Sequence, residues 1–502
     1  MNRKTEERLS PAAIALWQEN RLPFLTAFVT GLTAHGYAFS NKLLNHDEIE
    51  SLFGKGATVT SGRWGLELVK LLFPDWSMPW IYGLISILLM SVSACLMLHF
   101  LRIRSRSLQA VLAAMVLCFP SLTGNFCFMF TSAPYAWSFF LTVLAVTLLS
   151  SQKPANLVFG AGLLVLALGI YQAYIAVAAT LFVLRMIADT LDGEQAVGRI
   201  VLHGMRALGL LFGAVLLYAA VTFLVFHFTG ETFNSYVTEN VGTSVGLLRR
   251  VRMAYDAFYY IFSFRNFYLI TSEASRYLHI ALLLLTVSWL AVLAFRFKSI
   301  LRAVLLTVLV LLLPLSICCM FLVMSQSSIH TLVLYGFVGF YFLSALCAER
   351  MSQPERPAAN HVLTAALALI VAGNVYFANM VYLKLQLQAD NACAFYTTLC
   401  ARVQSTKGFD GNCALALVGR QDNLLHDFPE LDTELFMGVN RELVNIYSRE
   451  NYIHRYLGFD IVFASDEILE KLENDPRVLK MAEYPYYGSV QRIDDCIVVR
   501  LG

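Results

Sequence analysis

Long apolar runs separated by short polar breaks dominate the chain. Leu282 to Phe295, Val304 to Val323 and Val362 to Val371, taken with their flanks, are long enough as helices to cross a hydrocarbon core of about 30 Å. Read in order, such windows predict about eleven spans, near 22–40, 80–100, 108–126, 133–150, 155–170, 172–190, 207–228, 277–295, 303–324, 329–347 and 361–383. The pattern changes beyond 383. Cys413 to Gly419, Asp460 to Ala464 and Cys496 to Leu501 are short apolar runs of strand length. Asp466 opens a stretch in which Ile468, Leu469 and Leu472 recur at helical spacing. The expected fold is a polytopic α-helical membrane protein with a small C-terminal α/β domain. Its parts are an N-terminal segment 1–21, a membrane domain 22–383 with outer loops 41–79 and 229–276, and the α/β domain 384–502.

Composition agrees with a bilayer as solvent. Of 502 residues, 58% are hydrophobic and 14% charged, whereas soluble chains carry about a quarter charged residues. The net charge of +2 conceals an asymmetry, because from Asp390 to Gly502 there are 18 acidic and 11 basic residues. The membrane part is therefore basic and the tail acidic. Arg102, Arg104 and Arg106, then Arg296, Lys298 and Arg302, then Arg350 and Arg356, fall in loops on one side if the spans are counted as above. The positive-inside rule makes that side cytoplasmic, with the N-terminus inside and the tail outside. Arg3, Lys4, Glu6, Glu7, Arg8 and Glu19 make the start too polar for a cleavable signal, so it reads as a cytoplasmic amphipathic lead-in. No charged pair of the kind pumps require interrupts the middle of a span.

Cys393, Cys400, Cys413 and Cys496 lie in the tail, and an even number outside the cytoplasm makes them disulfide candidates. Cys393 and Cys400 are seven residues apart on an expected helix, about 10 Å along its axis, which is too far for a mutual bridge. The other cysteines sit in or beside spans and read as packing residues.

Candidate chemistry concentrates in the outer loops. The first carries Asn45-His46-Asp47-Glu48-Ile49-Glu50 and then Ser61-Gly62-Arg63-Trp64-Gly65. Ile49, Leu52 and Phe53, and later Leu66, Val69 and Phe73, recur at helical spacing, so two short interfacial helices are expected. Asp47 sits near the start of the first, where a carboxylate either caps the helix or takes the proton of an attacking hydroxyl. Arg63 stands between glycines that allow close approach, and its guanidinium suits either a phosphate or a carboxylate such as Glu50 or Glu67. The second loop carries Arg249, Arg250, Arg252, Arg265 and Arg276 among Tyr255, Phe258, Tyr259, Tyr260 and Phe262. Five outer arginines run against the charge rule, so an anion is expected to offset them, either a polyprenyl phosphate or ordinary anionic lipid. Tyr171-Gln172-Ala173-Tyr174 and Ser325 to His330 lie at tight outer junctions. Tyr171, Gln172 and His330 there either bond sugar hydroxyls or belong to an interfacial belt.

No GxxxxGK[ST] loop, no GxGxxG after a strand, no zinc-spaced His/Cys cluster and no acidic DxD pair occurs. A cofactor, a resident metal and a nucleic-acid partner are not expected, although Asp47 and Glu48 together suit one hard cation.

The order of Asn45-His46-Asp47-Glu48, Ser61-Gly62-Arg63-Trp64, Gly169-Ile170-Tyr171-Gln172-Ala173 and a small α/β tail resembles the bacterial and phage type II O-antigen glucosyltransferase family, within the GT-C group of polytopic membrane glycosyltransferases. The resemblance implies a donor of undecaprenyl-phosphate glucose, a lipid-linked O-antigen or other surface polysaccharide as acceptor, and a place in the bacterial inner membrane with the tail in the periplasm. A partner flippase and a polyprenyl-phosphate glucose synthase follow from that chemistry. Asp47, with Glu48 beside it, corresponds to the catalytic carboxylate of the first outer loop; Arg63 takes the phosphate side, with His46, Trp64, Tyr171, Gln172, Arg249, Arg250, Arg252, Arg265 and His330 as further substrate contacts. The alternatives are a GT-C transferase of another sugar, a lipid-linked glycan flippase or exporter, and an assembly scaffold whose tail binds partners.

Overall fold

The computed structural model describes residues 11–50, 58–72, 77–241, 245–263, 269–324, 330–352, 357–420, 425–426, 428–431, 443–445 and 447–501.

 Position 446 alone separates the last two of these stretches. The chain divides into two compact units. The first takes in the chain to Asn41 and Ala57–Asn379; the second takes in Lys42–Gly56 and most of the chain from Met380 onward.

In the first unit each of the eleven apolar stretches lies largely in helix. Nine helices among the described residues are long and apolar enough to cross a membrane, from Pro79–Phe100 to Ala358–Ser405. The two expected spans outside that set are Pro11–Ser40 and the 17-residue helix Pro154–Ile170. Proline sets several starts: Pro79, Pro120 and Pro154 each stand in a first turn, where the missing N–H costs nothing. Pro120 also holds Phe119 extended (φ −63°, ψ 136°), which separates Arg106–Cys118 from Pro120–Cys127.

Burial separates inner from outer helices. Arg106–Cys127 and Thr331–Met351 are 94% and 100% buried over their apolar windows, against 11% for Val197–Thr229. The last keeps Leu208, Phe212, Leu216 and Phe223 exposed, as a helix against hydrocarbon would. Phe119, Phe139, Tyr174, Tyr335 and Tyr341 form the aromatic centre. Polar side chains inside helices bond their own backbone, as Ser86 does to the Tyr82 carbonyl at 2.6 Å and Ser91 to that of Ile87 at 2.6 Å.

One end of this unit gathers the basic loops. Arg102 pairs with Asp189 (3.2 Å) and Asp192 (3.5 Å), Arg350 with Asp192 (2.6 Å), and Arg302 donates to the Thr190 and Gln195 carbonyls. Glu349 accepts the backbone N–H groups of Arg104 and Ser105. Loops expected on one side of the bilayer are thereby joined at one end of the bundle.

The second unit is built on a three-stranded sheet in the order β1-β3-β2, with β1 Ala414–Val418 parallel to β3 Cys496–Arg500, and β2 Val490–Ile493 antiparallel to β3. The first and last expected strands are present. Asp460 to Ala464 forms only a bridge, Leu415 to Phe463, and Val490–Ile493 is a strand in which polar Gln491 and Arg492 leave no apolar run. Asp466–Glu473 is a helix, as its spacing predicts. The sheet has two apolar faces. Leu415, Leu417, Ile497 and Val499 pack with Tyr396, Leu399 and Tyr452, while Ala416, Val418 and Val498 pack with Leu472, Val478 and Met481.

Candidate functional site

Arg63 is held by a turn that the sequence builds from small residues. Val59–Ser61 is a single 3-10 turn, and Gly62 closes it at φ +72°, a conformation that favours glycine. Three distant residues clamp it. Gln172 donates from Nε2 to the Ser61 carbonyl (3.1 Å) and to the Tyr218 hydroxyl (2.9 Å), and Tyr218 donates to the Gly62 carbonyl (3.0 Å). Asn234 donates from its backbone to the Thr60 carbonyl (3.0 Å) and from Nδ2 to Ser61 Oγ (3.1 Å). Its Oδ1 meanwhile caps the helix Ser235–Asn240 through Val237 N–H.

Trp64 and Gly65 dock this turn on the helix Pro154–Ile170. A Cβ on Gly65 would lie 2.7 Å from the Gly169 carbonyl carbon, and one on Gly169 would lie 2.6 Å from the Trp64 ring. Both glycines therefore permit contact of backbone with backbone and of ring with backbone. Trp64 Nε1 donates to Thr222 Oγ1 at 3.1 Å.

The guanidinium of Arg63 then meets two tyrosines. Tyr135 and Tyr171 stack with centroids 4.1 Å apart and planes 16° apart. Arg63 lies 5.9 Å and 5.5 Å from their centroids and donates from Nη1 to the Tyr135 hydroxyl at 2.8 Å. Glu67 is engaged by Thr58 and by Lys70. His330 lies near enough to feel this charge.

Arg63, Trp64, Tyr171, Gln172 and His330 are thus brought to one end of the first unit. Tyr135, Tyr218, Thr222 and Asn234 belong with them; the first three are lone polar residues in apolar helices and Asn234 a single loop residue before a short helix, so none carries a spacing signal. The second-loop arginines have other partners. Arg250 donates to the Val245 and Leu322 carbonyls at 2.9 Å and 2.7 Å, Arg252 lies 3.6 Å from Asp256, and Arg249 is exposed. They sit on the helix Leu247–Ser263, with Ala254, Ile261 and Phe262 buried and Leu247, Leu248 and Tyr259 exposed. Arg265 and the stretch 325–329 lie outside the described residues.

His46, Asp47 and Glu48 belong to the second unit. Leu44 and Ile49, on either side of them, are buried in its core with Tyr396 and Tyr452. Asn45 caps the helix His46–Glu50, its Oδ1 accepting Glu48 N–H at 2.8 Å. Capping therefore falls to Asn45 rather than to Asp47. Glu48 is 1% exposed and paired with Lys42. Asp47 has a half-exposed carboxylate that accepts from the Tyr447 hydroxyl at 2.9 Å and stands 3.6 Å from His46 Nε2. The His46 and Tyr447 rings meet edge to face at 5.9 Å. Burial and the nearby Asp47 raise the Tyr447 pKa, which keeps its phenol protonated as a donor. Next to it, Asn451 donates to Glu50 at 2.7 Å. The two adjacent carboxylates thus turn to different partners.

The four tail cysteines are free thiols here. Cys393 and Cys400 both lie on the helix Ala358–Ser405. Cys413 packs in one core of the sheet and Cys496 in the other, and Cys413 Sγ lies 3.1 Å from Asp410 Oδ1.

The family model for glucosyl transferase GtrII matches residues 36–343, more than half of the chain, and so takes in Asp47, Arg63, Gln172 and His330. No curated protein matches the chain. The chain belongs to the glucosyl transferase GtrII family and is a glycosyltransferase, which implies a sugar donor and a glycan acceptor.

Proposed function

We propose that this GtrII-family enzyme moves glucose from undecaprenyl-phosphate glucose to a lipid-linked O-antigen or another surface polysaccharide, as a side branch. The reaction runs on the extracytoplasmic face of a bacterial inner membrane, with the basic loop end inside and the tail in the periplasm. A polyprenyl-phosphate glucose synthase and a flippase supply the donor.

The observation that carries this reading is Arg63 on its tyrosine pair, a fixed planar cation at one end of an apolar bundle. A guanidinium so held suits two oxygens of a lipid phosphate, and the aromatic faces suit isoprenoid or sugar. The acceptor hydroxyl oxygen attacks C1 of glucose, the C1–O bond to phosphate breaks, and the electron pair leaves with the polyprenyl phosphate, whose charge Arg63 offsets. Asp47 takes the hydroxyl proton, a role supported by its open carboxylate and by the Tyr447 hydroxyl that orients it. Glu48, paired with Lys42, acts on the fold of the loop instead.

The test has two parts. Purified protein in vesicles receives labelled undecaprenyl-phosphate glucose and a lipid-linked O-antigen, and surface polysaccharide is analysed from cells with and without the protein. Transfer from the lipid-linked donor, together with a glucose branch present only in producing cells, is expected. A glycan identical in both kinds of cell would overturn the reading.

A further inference from the structure

The end of the first unit opposite Arg63 holds a cavity of about 750 Å³. Tyr171 and Asp189 mark the two ends of one helical stretch, which puts the cavity roughly 27 Å from the Arg63 platform along the bundle. Its walls are the final turns of Pro79–Phe100, Met129–Leu149 and Ile175–Asp192 and the early turns of Pro11–Ser40, Arg106–Cys118 and Val197–Thr229.

Charge in this cavity is unbalanced. Arg102, Arg104, Arg106, Arg185 and Arg206 line it against the carboxylates of Glu19 and Asp189. Asp189 is shared by Arg102 (3.2 Å) and Arg185 (3.3 Å). Arg106 and Arg206 are held by uncharged acceptors, the Glu19 carbonyl at 2.7 Å, the Ser151 carbonyl at 2.6 Å and Gln152 Oε1 at 3.0 Å. Carbonyls fix a guanidinium without cancelling its charge, so an anion in the cavity meets preset donors. A second observation refines the ligand. Gln109 and Gln195 also line the cavity, and their side-chain oxygens are enclosed with no donor among the described residues. Enclosed acceptors are costly unless a donor reaches them.

We propose that this cavity is a binding site for a phosphate ester that carries free hydroxyl groups, its phosphate taken by Arg106 and Arg206 and its hydroxyls by Gln109 and Gln195. The source is either a polyol phospholipid headgroup or a soluble polyol phosphate. Exposed Leu22, Leu202 and Met205 on the flanking helices suit acyl chains beside the opening. The proposal is independent of the reading of the Arg63 site.

Full-length protein, purified in detergent, is incubated with equal phosphatidylglycerol and phosphatidylcholine, and retained lipid is counted by native mass spectrometry. Phosphatidylglycerol retention about tenfold above phosphatidylcholine is expected, falling about tenfold in Arg106→Gln/Arg206→Gln and unchanged in Arg199→Gln, an exposed charge on the helix of Arg206 but outside the cavity lining. Where the double variant does not fold, Arg106→Gln alone, whose guanidinium is exposed, is expected to lose about threefold. Glycerol 3-phosphate that displaces the lipid at millimolar concentration identifies a site filled from water; lipid retained against it identifies a lipid site. Equal retention of the two lipids, or equal loss in Arg199→Gln, would overturn the proposal.

Discussion

Asp47 and Glu48 are neighbours with opposite surroundings, and the surroundings set what each substitution does. Asp47→Asn removes a base at an open position without removing a cap, because Asn45 holds the helix. Transfer should fall roughly 10²–10⁴-fold at normal protein levels; a fully active variant would return Asp47 to a structural part. Tyr447→Phe leaves the carboxylate but loses its 2.9 Å hydrogen bond, so a smaller fall in transfer, at unchanged thermal midpoint, is expected. Glu48→Gln acts differently. It leaves Lys42 without its charge partner, at a cost of roughly 1–3 kcal/mol, moderated by the part of Lys42 in water. A lower thermal midpoint with little change in turnover per folded molecule is expected. For Arg63→Lys, charge stays while the planar contact with Tyr135 and Tyr171 goes, so transfer should drop sharply. Arg252→Lys, on an exposed i,i+4 pair, should be nearly silent. The reverse outcome would move the phosphate site to the second loop.

At the scale of elements, the contact of the Gly62–Gly65 turn with Pro154–Ile170 is the joint on which Arg63 depends. Gly169→Ala would place a methyl 2.6 Å from the Trp64 ring. The ring has to move, at about 1–3 kcal/mol for an overpacked site, and Arg63 moves with the turn. Gly162, on the same helix, has nothing within 4 Å of an added Cβ. Gly162→Ala should therefore be neutral or slightly stabilising in a detergent melting assay, while Gly169→Ala loses both stability and transfer. Similar melting of the two variants would mean that the turn does not rely on this contact. In the sheet, alternation puts Cys413 and Cys496 on opposite faces. Disulfide mapping of unreduced protein should recover no Cys413–Cys496 pair, so any bridge formed on the oxidising side joins Cys413 to Cys393 or Cys400.

For the whole molecule, the arginine loops joined at one end of the bundle give a sidedness that reporters can read. A fusion after Arg104 should report from the cytoplasm and one after Gly502 from the periplasm. A cytoplasmic tail would mean an even number of crossings, and the short helix Pro154–Ile170 with its neighbour is where the count would change.

Much of the architecture was legible in the chain because a bilayer imposes a strong rule. Every backbone polar group must be bonded locally, so each apolar stretch becomes a helix, and all eleven did. The tail strands at Cys413 and Cys496 were legible for the same local reason, a short apolar run. The polar strand Val490–Ile493 was not, since its place comes from pairing with β3. The candidate residues of each unit followed the same division. Asp47, Arg63, Tyr171 and Gln172 stood out as chemistry at helix ends. Tyr135, Tyr218, Asn234 and Tyr447 carry no pattern of their own, and only the fold brings them beside those residues from as far as 400 positions away. Nor does adjacency in sequence decide between two carboxylates: a helix turn sends Glu48 into the core beside Lys42 and leaves Asp47 in the open. Local solvent preference settled the helices, while long-range hydrogen bonds and burial settled which polar groups remain available for chemistry.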